Sequence, residues 1–96
     1  MRMKNPAHPG RILKAALDDI GITVPAAASG IGISRQQLSN VIGGRSGITP
    51  EMAVRLELGI GSTAETWLDM QRAFDLAQVR AHSGEIASSV RRLSPV

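Results

Sequence analysis

The 96-residue chain has no cysteine, which leaves neither a disulfide frame nor a thiolate site and fits a reducing compartment. Its aromatics are a single Trp and a single Phe. Both stand at core spacings, which argues against the row of stacked rings used by a single-strand nucleic-acid binder. Two His, at 8 and 82, lie far apart in sequence with no Cys or spaced Glu to complete a metal site. His8, just before Pro-Gly, is read as an ordering or capping residue. No apolar run approaches a membrane span, and the first residues lack the apolar stretch of a secretory signal. Asp18 and Asp19 are successive residues of one helix and point apart, so they cannot share a proton; Asp69 and Asp75 read as a solvated face with Arg72. The expectation is a cytoplasmic, non-enzymatic protein with no metal, no cofactor and no membrane partner. The length allows one domain with a modest core.

What the chain does have is an uneven distribution of charge. Residues 1–50 carry six Lys and Arg against two Asp, a local charge of +4, whereas residues 51–96 carry five against six acids, or −1. The first half is therefore the half suited to a polyanion.

Helix signals recur along the chain. Residues 1–8 read as an N-terminal arm, and Pro9 suits the first turn of a helix whose apolar stripe is Ile12, Leu13, Ala16, Leu17 and Ile20, ended by Gly21. Thr23 caps a second helix, with Pro25 in its first turn and Ala27 and Ala28 small enough for a close crossing. Gly30 to Gly32 supply a turn, and residues 43–47 (Gly-Gly-Arg-Ser-Gly) read as a flexible loop whose amides and Arg45 can approach a phosphate, or else as a plain linker. Thr49-Pro50-Glu51 opens a helix with Ala53, Leu56 and Ile60 facing inward. A capping box at Ser62 to Glu65 opens the last strong helix, running to about Ala81. Trp67, Met70, Phe74, Ala77 and Ala81 form one seam of it; Leu68, Leu76 and Val79 form a second stripe roughly opposite. Two apolar sides imply two contacts, one with the core and one with a second subunit or a partner protein, unless both are buried within the one small chain. Ser83-Gly84 break this helix, so residues 9–82 are read as the domain and 83–96 as a flexible or partner-ordered tail.

The segment from Thr23 to Gly44 is the most informative: two short helices joined by a glycine turn. Ser34 and Gln37 form a capping box at the start of the second, and Leu38, Val41 and Ile42 fall on one buried face. Arg35, Gln36, Ser39 and Asn40 remain on the outside, where such side chains bond base edges in a major groove or the flanking phosphates. Ser34, Arg35, Gln36, Gln37, Ser39, Asn40, Arg45 and Ser46 are the candidate DNA-contacting residues. Among them, Gln36 is the candidate base reader and Arg45 the candidate backbone contact.

His8-Pro9-Gly10, then Gly-Ile-Gly-Ile-Ser-Arg-Gln-Gln-Leu-Ser-Asn at 30–40, Gly-Arg-Ser-Gly-Ile-Thr-Pro-Glu-Met-Ala-Val-Arg-Leu at 44–56 and Glu-Thr-Trp-Leu-Asp-Met-Gln-Arg-Ala-Phe-Asp-Leu at 65–76 resemble the HigA-type antitoxins. The resemblance covers residues 8–81 in order. The helix-turn-helix segment is shared by many repressors, and the Trp-Leu-x-x-Gln-x-x-Phe-Asp-Leu segment is the more specific part. The resemblance implies an all-α, five-helix domain of the lambda-repressor type, acting as a homodimer on palindromic operator DNA. It also implies a HigB-type, mRNA-cleaving toxin as partner, bound and neutralised, with repression of the shared operon. The candidate dimer or partner helix carries Trp67, Leu68, Met70, Phe74, Leu76 and Val79.

Two positions depart from related repressors. Val24 stands where a phosphate-gripping Gln is common, followed by Pro25, and Gly43-Gly44 stands where Asn-Gly is usual. Both departures remove a side-chain phosphate contact, so that either DNA affinity is lower than the resemblance implies or binding leans more on Arg35, Arg45 and the arm. A solitary repressor without a toxin, or a protein-interaction module with weak DNA affinity, are the alternative readings.

Overall fold

A computed structural model describes residues 5–94. They form six α-helices: α1 (Pro9–Ile20), α2 (Val24–Ile31), α3 (Arg35–Ile42), α4 (Pro50–Gly59), α5 (Ala64–Arg80) and α6 (Ser83–Ser89). The first five begin at a capping side chain. His8, Thr23, Ser34, Thr49 and Thr63 each accept from an amide of the first turn, which has no intrahelical partner. The α5 cap lies one residue later than the expected box. Ser62 takes a left-handed φ of 60°, and the Thr63 hydroxyl accepts from the Thr66 amide at 3.0 Å.

One core joins α1 to α5: Leu13 and Leu17, Ala27, Ala28 and Ile31, Leu38 and Val41, Ile48, Met52, Ala53 and Leu56, and Trp67. Three members of the expected α1 stripe lie outside it, Ala16 among them though half-buried. Ile12 is on the flank of the helix, about 100° from Leu13, and Ile20, on the buried side, is the last helical residue and runs past the edge of the core at 58% exposure. Ile42 and Ile60 are half-buried against the core. Met52, not singled out in the sequence, is buried.

The arm is not loose where it meets α1. His8 is buried, its Nδ1 accepts from the Gly10 amide at 2.9 Å, and its ring meets Phe74 edge-on at 4.8 Å. The expected arm's residues 1–4 lie outside the described residues. At the other end, the segment read as a tail holds a helix. All of α6 is exposed, and it has no side-chain cap at its start. Its Ser88 and Ser89 hydroxyls bond back to the carbonyls of Glu85 and Ile86. Gly84 and the missing cap hide such a short helix from a reading based on periodicity. No helix of the described residues is long and apolar enough to cross a membrane.

Candidate nucleic-acid interface

Helices α2 and α3 pack against one another through a turn that is shorter than the glycine cluster implied. Gly30 and Ile31 complete α2, and Gly32 alone turns the chain with φ of 77°. The capping box at the start of α3 is reciprocal: the Gln37 amide donates to Ser34 Oγ at 3.0 Å, and the Ser34 amide donates to Gln37 Oε1 at 3.0 Å. With Leu38 and Val41 buried, the rotation of α3 is set, and Arg35, Gln36 and Gln37 face outward. Ser39 and Asn40 sit half-buried on the flank of that face.

The loop after α3 is tied down. Its first four amides are all spent on α3 carbonyls: Gly43 on Ser39 at 2.9 Å, Gly44 on Val41 at 3.1 Å, and Arg45 and Ser46 on Asn40 at 2.9 and 3.2 Å. These amides are therefore not available to an anion, contrary to the reading of a flexible phosphate-approaching loop. The Arg45 guanidinium also turns back, donating from Nη2 to the Ser39 carbonyl at 3.2 Å and from Nε to Asn40 Oδ1 at 3.2 Å. Asn40 Oδ1 accepts a second bond, from Gln36 Nε2 at 2.9 Å. Gln36, Asn40 and Arg45 thus form a single chain across the face of α3. Arg35, at the first position of α3, makes no hydrogen bond or ion pair within the described residues.

Two residues that buttress this face were not singled out by the sequence reading. Arg55 of α4 donates from Nη1 to the carbonyls of Ile31 and Gly32 at 2.9 and 3.3 Å, closing the end of α2 at the turn. Its Nε is held by Glu51 at 3.2 Å. Gln71 of α5 is buried; its Oε1 accepts from the Ile48 amide at 2.8 Å and its Nε2 donates to Asp75 at 3.0 Å. Helix spacing signals Arg55 only through the Glu51 four residues before it; Gln71 is polar between two apolar stripes, and its one signal is its place in the Trp-Leu-x-x-Gln-x-x-Phe-Asp-Leu segment. Asp69 does pair with Arg72, at 3.0 Å, whereas Asp75 serves Gln71.

On α5 the two predicted stripes face different surroundings, except that Leu68 of the second stripe also packs against the core. Trp67 is buried with its Nε1 donating to the Gly61 carbonyl at 3.0 Å, and Met70 and Phe74 are half-buried on the same side. Leu68, Leu76 and Val79 line an open groove together with Gln71, Arg72 and Asp75. Leu76 and Val79 are 39% and 54% exposed. Val24, at the first departure from related repressors, is half-buried against the core.

No family model matches the chain. It is 43% identical over 79 residues to virulence-associated protein A' of Dichelobacter nodosus, covering 81% of this chain and 69% of that protein. It is 36% identical over 91 residues to antitoxin HigA-1 of Vibrio cholerae, covering 94% of this chain and 86% of the relative. Antitoxin GraA superposes with a TM-score of 0.87 at 36% identity, over 93% of this chain and 98% of that one. GraA in complex with its operator gives a TM-score of 0.83 over 94% and 93% of the two chains. This all-α chain with a helix-turn-helix belongs to the HigA-type antitoxins among the helix-turn-helix transcriptional regulators.

Proposed function

We propose that the chain is a cytoplasmic antitoxin that represses its own operon through the outer face of α3 and neutralises a HigB-type toxin through a different surface. The observation that carries the DNA reading is the composition of that face. Residues 34–46 present amides, hydroxyls and two guanidinium groups with no carboxylate, on a helix whose opposite side is locked into the core. The contacts are assigned to Ser34, Arg35, Gln36, Gln37, Ser39, Asn40, Arg45 and Ser46. A solved relative, antitoxin GraA, is bound to its operator in a structure this chain matches over most of its length.

Gln36 lies at the second helical position, where a side chain enters the groove, and its amide complements the adenine edge. Gln36→Ala is expected to cost about 1–3 kcal/mol on the cognate operator and to relax preference at one base pair per half-site. Titration on cognate and scrambled duplexes measures this; equal weakening on both would remove Gln36 from base reading.

The toxin is assigned to α5, α6 and the segment beyond, where Ile86, Val90 and Leu93 stay exposed and DNA has no use for apolar groups. Co-expression of the folded Gln36→Ala, Asn40→Ala double variant with the toxin should still rescue growth. Loss of rescue would place the toxin on the DNA face. The groove beside Leu68, Leu76 and Val79 is assigned to a second copy, giving a symmetric dimer with two recognition helices.

A further inference from the structure

The bonds that link the side chains on α3 have a direction set by chemistry. Arg has only donors, so the Asn40 atom 3.2 Å from its Nε is the amide oxygen. The Gln36 atom 2.9 Å from that oxygen must then be its nitrogen. Both lone pairs of the Asn40 oxygen are filled, and the side chain has only its two N–H donors left to offer. The bidentate pairing of Asn with adenine needs the oxygen as well as the nitrogen, so it is closed to Asn40. Gln36 keeps its oxygen and one N–H.

The arrangement depends on a residue that departs from related repressors. A Cβ added at Gly43 would lie 2.6 Å from Arg45 Nη1, in the space where the guanidinium turns back over the last turn of α3. Gly43 has an ordinary right-handed backbone, φ −79° and ψ −1°. Its bare Cα thus serves to admit Arg45 and not to relieve the chain.

On the reading that α3 faces the operator, we propose that Arg45 is a positioning residue. Seated against Gly43, it makes Asn40 a donor-only reader that selects guanine, whose O6 and N7 both accept, over adenine, whose N7 stands beside a donating N6 amino group. A guanidinium used as a phosphate clamp would add affinity without sequence information; here it sets which base Asn40 accepts.

Two variants keep the charge and disturb the geometry. Arg45→Lys offers a flexible point charge that cannot hold the Asn40 oxygen and the Ser39 carbonyl in one plane, and Gly43→Ala fills the guanidinium's place. Sequences are selected by wild type, both variants and Asn40→Ala from a dyad-symmetric randomised duplex library, with folding checked by circular dichroism. The wild type should prefer a G·C pair at one position per half-site. The three variants should lose that preference, by about fivefold to tenfold, at the same base pair. The inference is overturned if Arg45→Lys and Gly43→Ala keep the wild-type preference, if they weaken every duplex alike, or if the base pair relaxed by Asn40→Ala is one where the wild type selects A·T. Proton exchange at Arg45 Nε in ¹⁵N spectra of the free protein reads the network without DNA. It should be slow in the wild type and fast in Asn40→Ala; fast exchange in the wild type would also overturn it. A wild type that selects no sequence, with slow Nε exchange, overturns the operator reading itself.

Discussion

Gly10 is where α1 and α3 approach most closely. A Cβ added there would lie 2.0 Å from the Val41 carbonyl oxygen and 3.0 Å from His8 Nδ1, so it would meet backbone and cap together. Gly10→Ala should cost about 2–3 kcal/mol, because neither the carbonyl nor the helix that carries it can yield without moving Leu38 and Val41. Gly30 is the internal control. It sits in α2 with nothing within 4 Å of its would-be Cβ and no positive φ. Gly30→Ala should therefore stabilise by about 0.5–1 kcal/mol through helix propensity and a less flexible unfolded chain. Urea denaturation of the two variants checks both, and the opposite signs separate close packing from glycine content. His8 belongs to the same corner. His-Pro-Gly in the sequence announces a cap, but only the fold brings Phe74 against the imidazole.

Elements whose ends carry their own chemistry were legible. Ser34 with Gln37, Thr49 with Pro50 and Thr23 with Pro25 mark helix starts because the bonds involved are local. Elements held from a distance were not. The Gln71 carbonyl reaches the Ile48 amide 23 residues away in sequence, and Arg55 reaches Ile31 over 24. Neither partner is implied by periodicity. Helix α6 escaped for the opposite reason: it has too few residues and no cap, and buries nothing. Gln71→Leu tests the long-range tie. It keeps the volume but strands the Ile48 N–H in a buried place and frees Asp75, which should cost about 1–3 kcal/mol in thermal or urea unfolding. An unchanged midpoint would mean that the Ile48 amide finds another acceptor.

At the scale of the whole molecule, the described residues span 53 × 27 × 20 Å, with one seam of α5 closing the core and the other left in the open. Among the described residues no further helix lies over Leu76 and Val79, and α6 is itself exposed throughout. If that stripe is the seam of a two-fold dimer, the same patch on each copy supplies both sides, and the recognition helices can be set about one DNA turn, roughly 34 Å, apart. Changing Leu76 and Val79 together to Arg should leave the monomer folded, because both side chains are already 39% and 54% exposed. It should nevertheless split the dimer by placing like charges across a symmetric contact. Sedimentation at tens of micromolar is expected to give twice the chain mass for the wild type and the single-chain mass for the double variant. Operator binding should weaken by about 100-fold or more, since the second half-site is then no longer reached at the high effective concentration that linkage provides. A double variant that still sediments as a dimer would move the seam off this groove; one that is monomeric yet binds the palindrome as tightly as the wild type would show that each α3 reads its half-site alone.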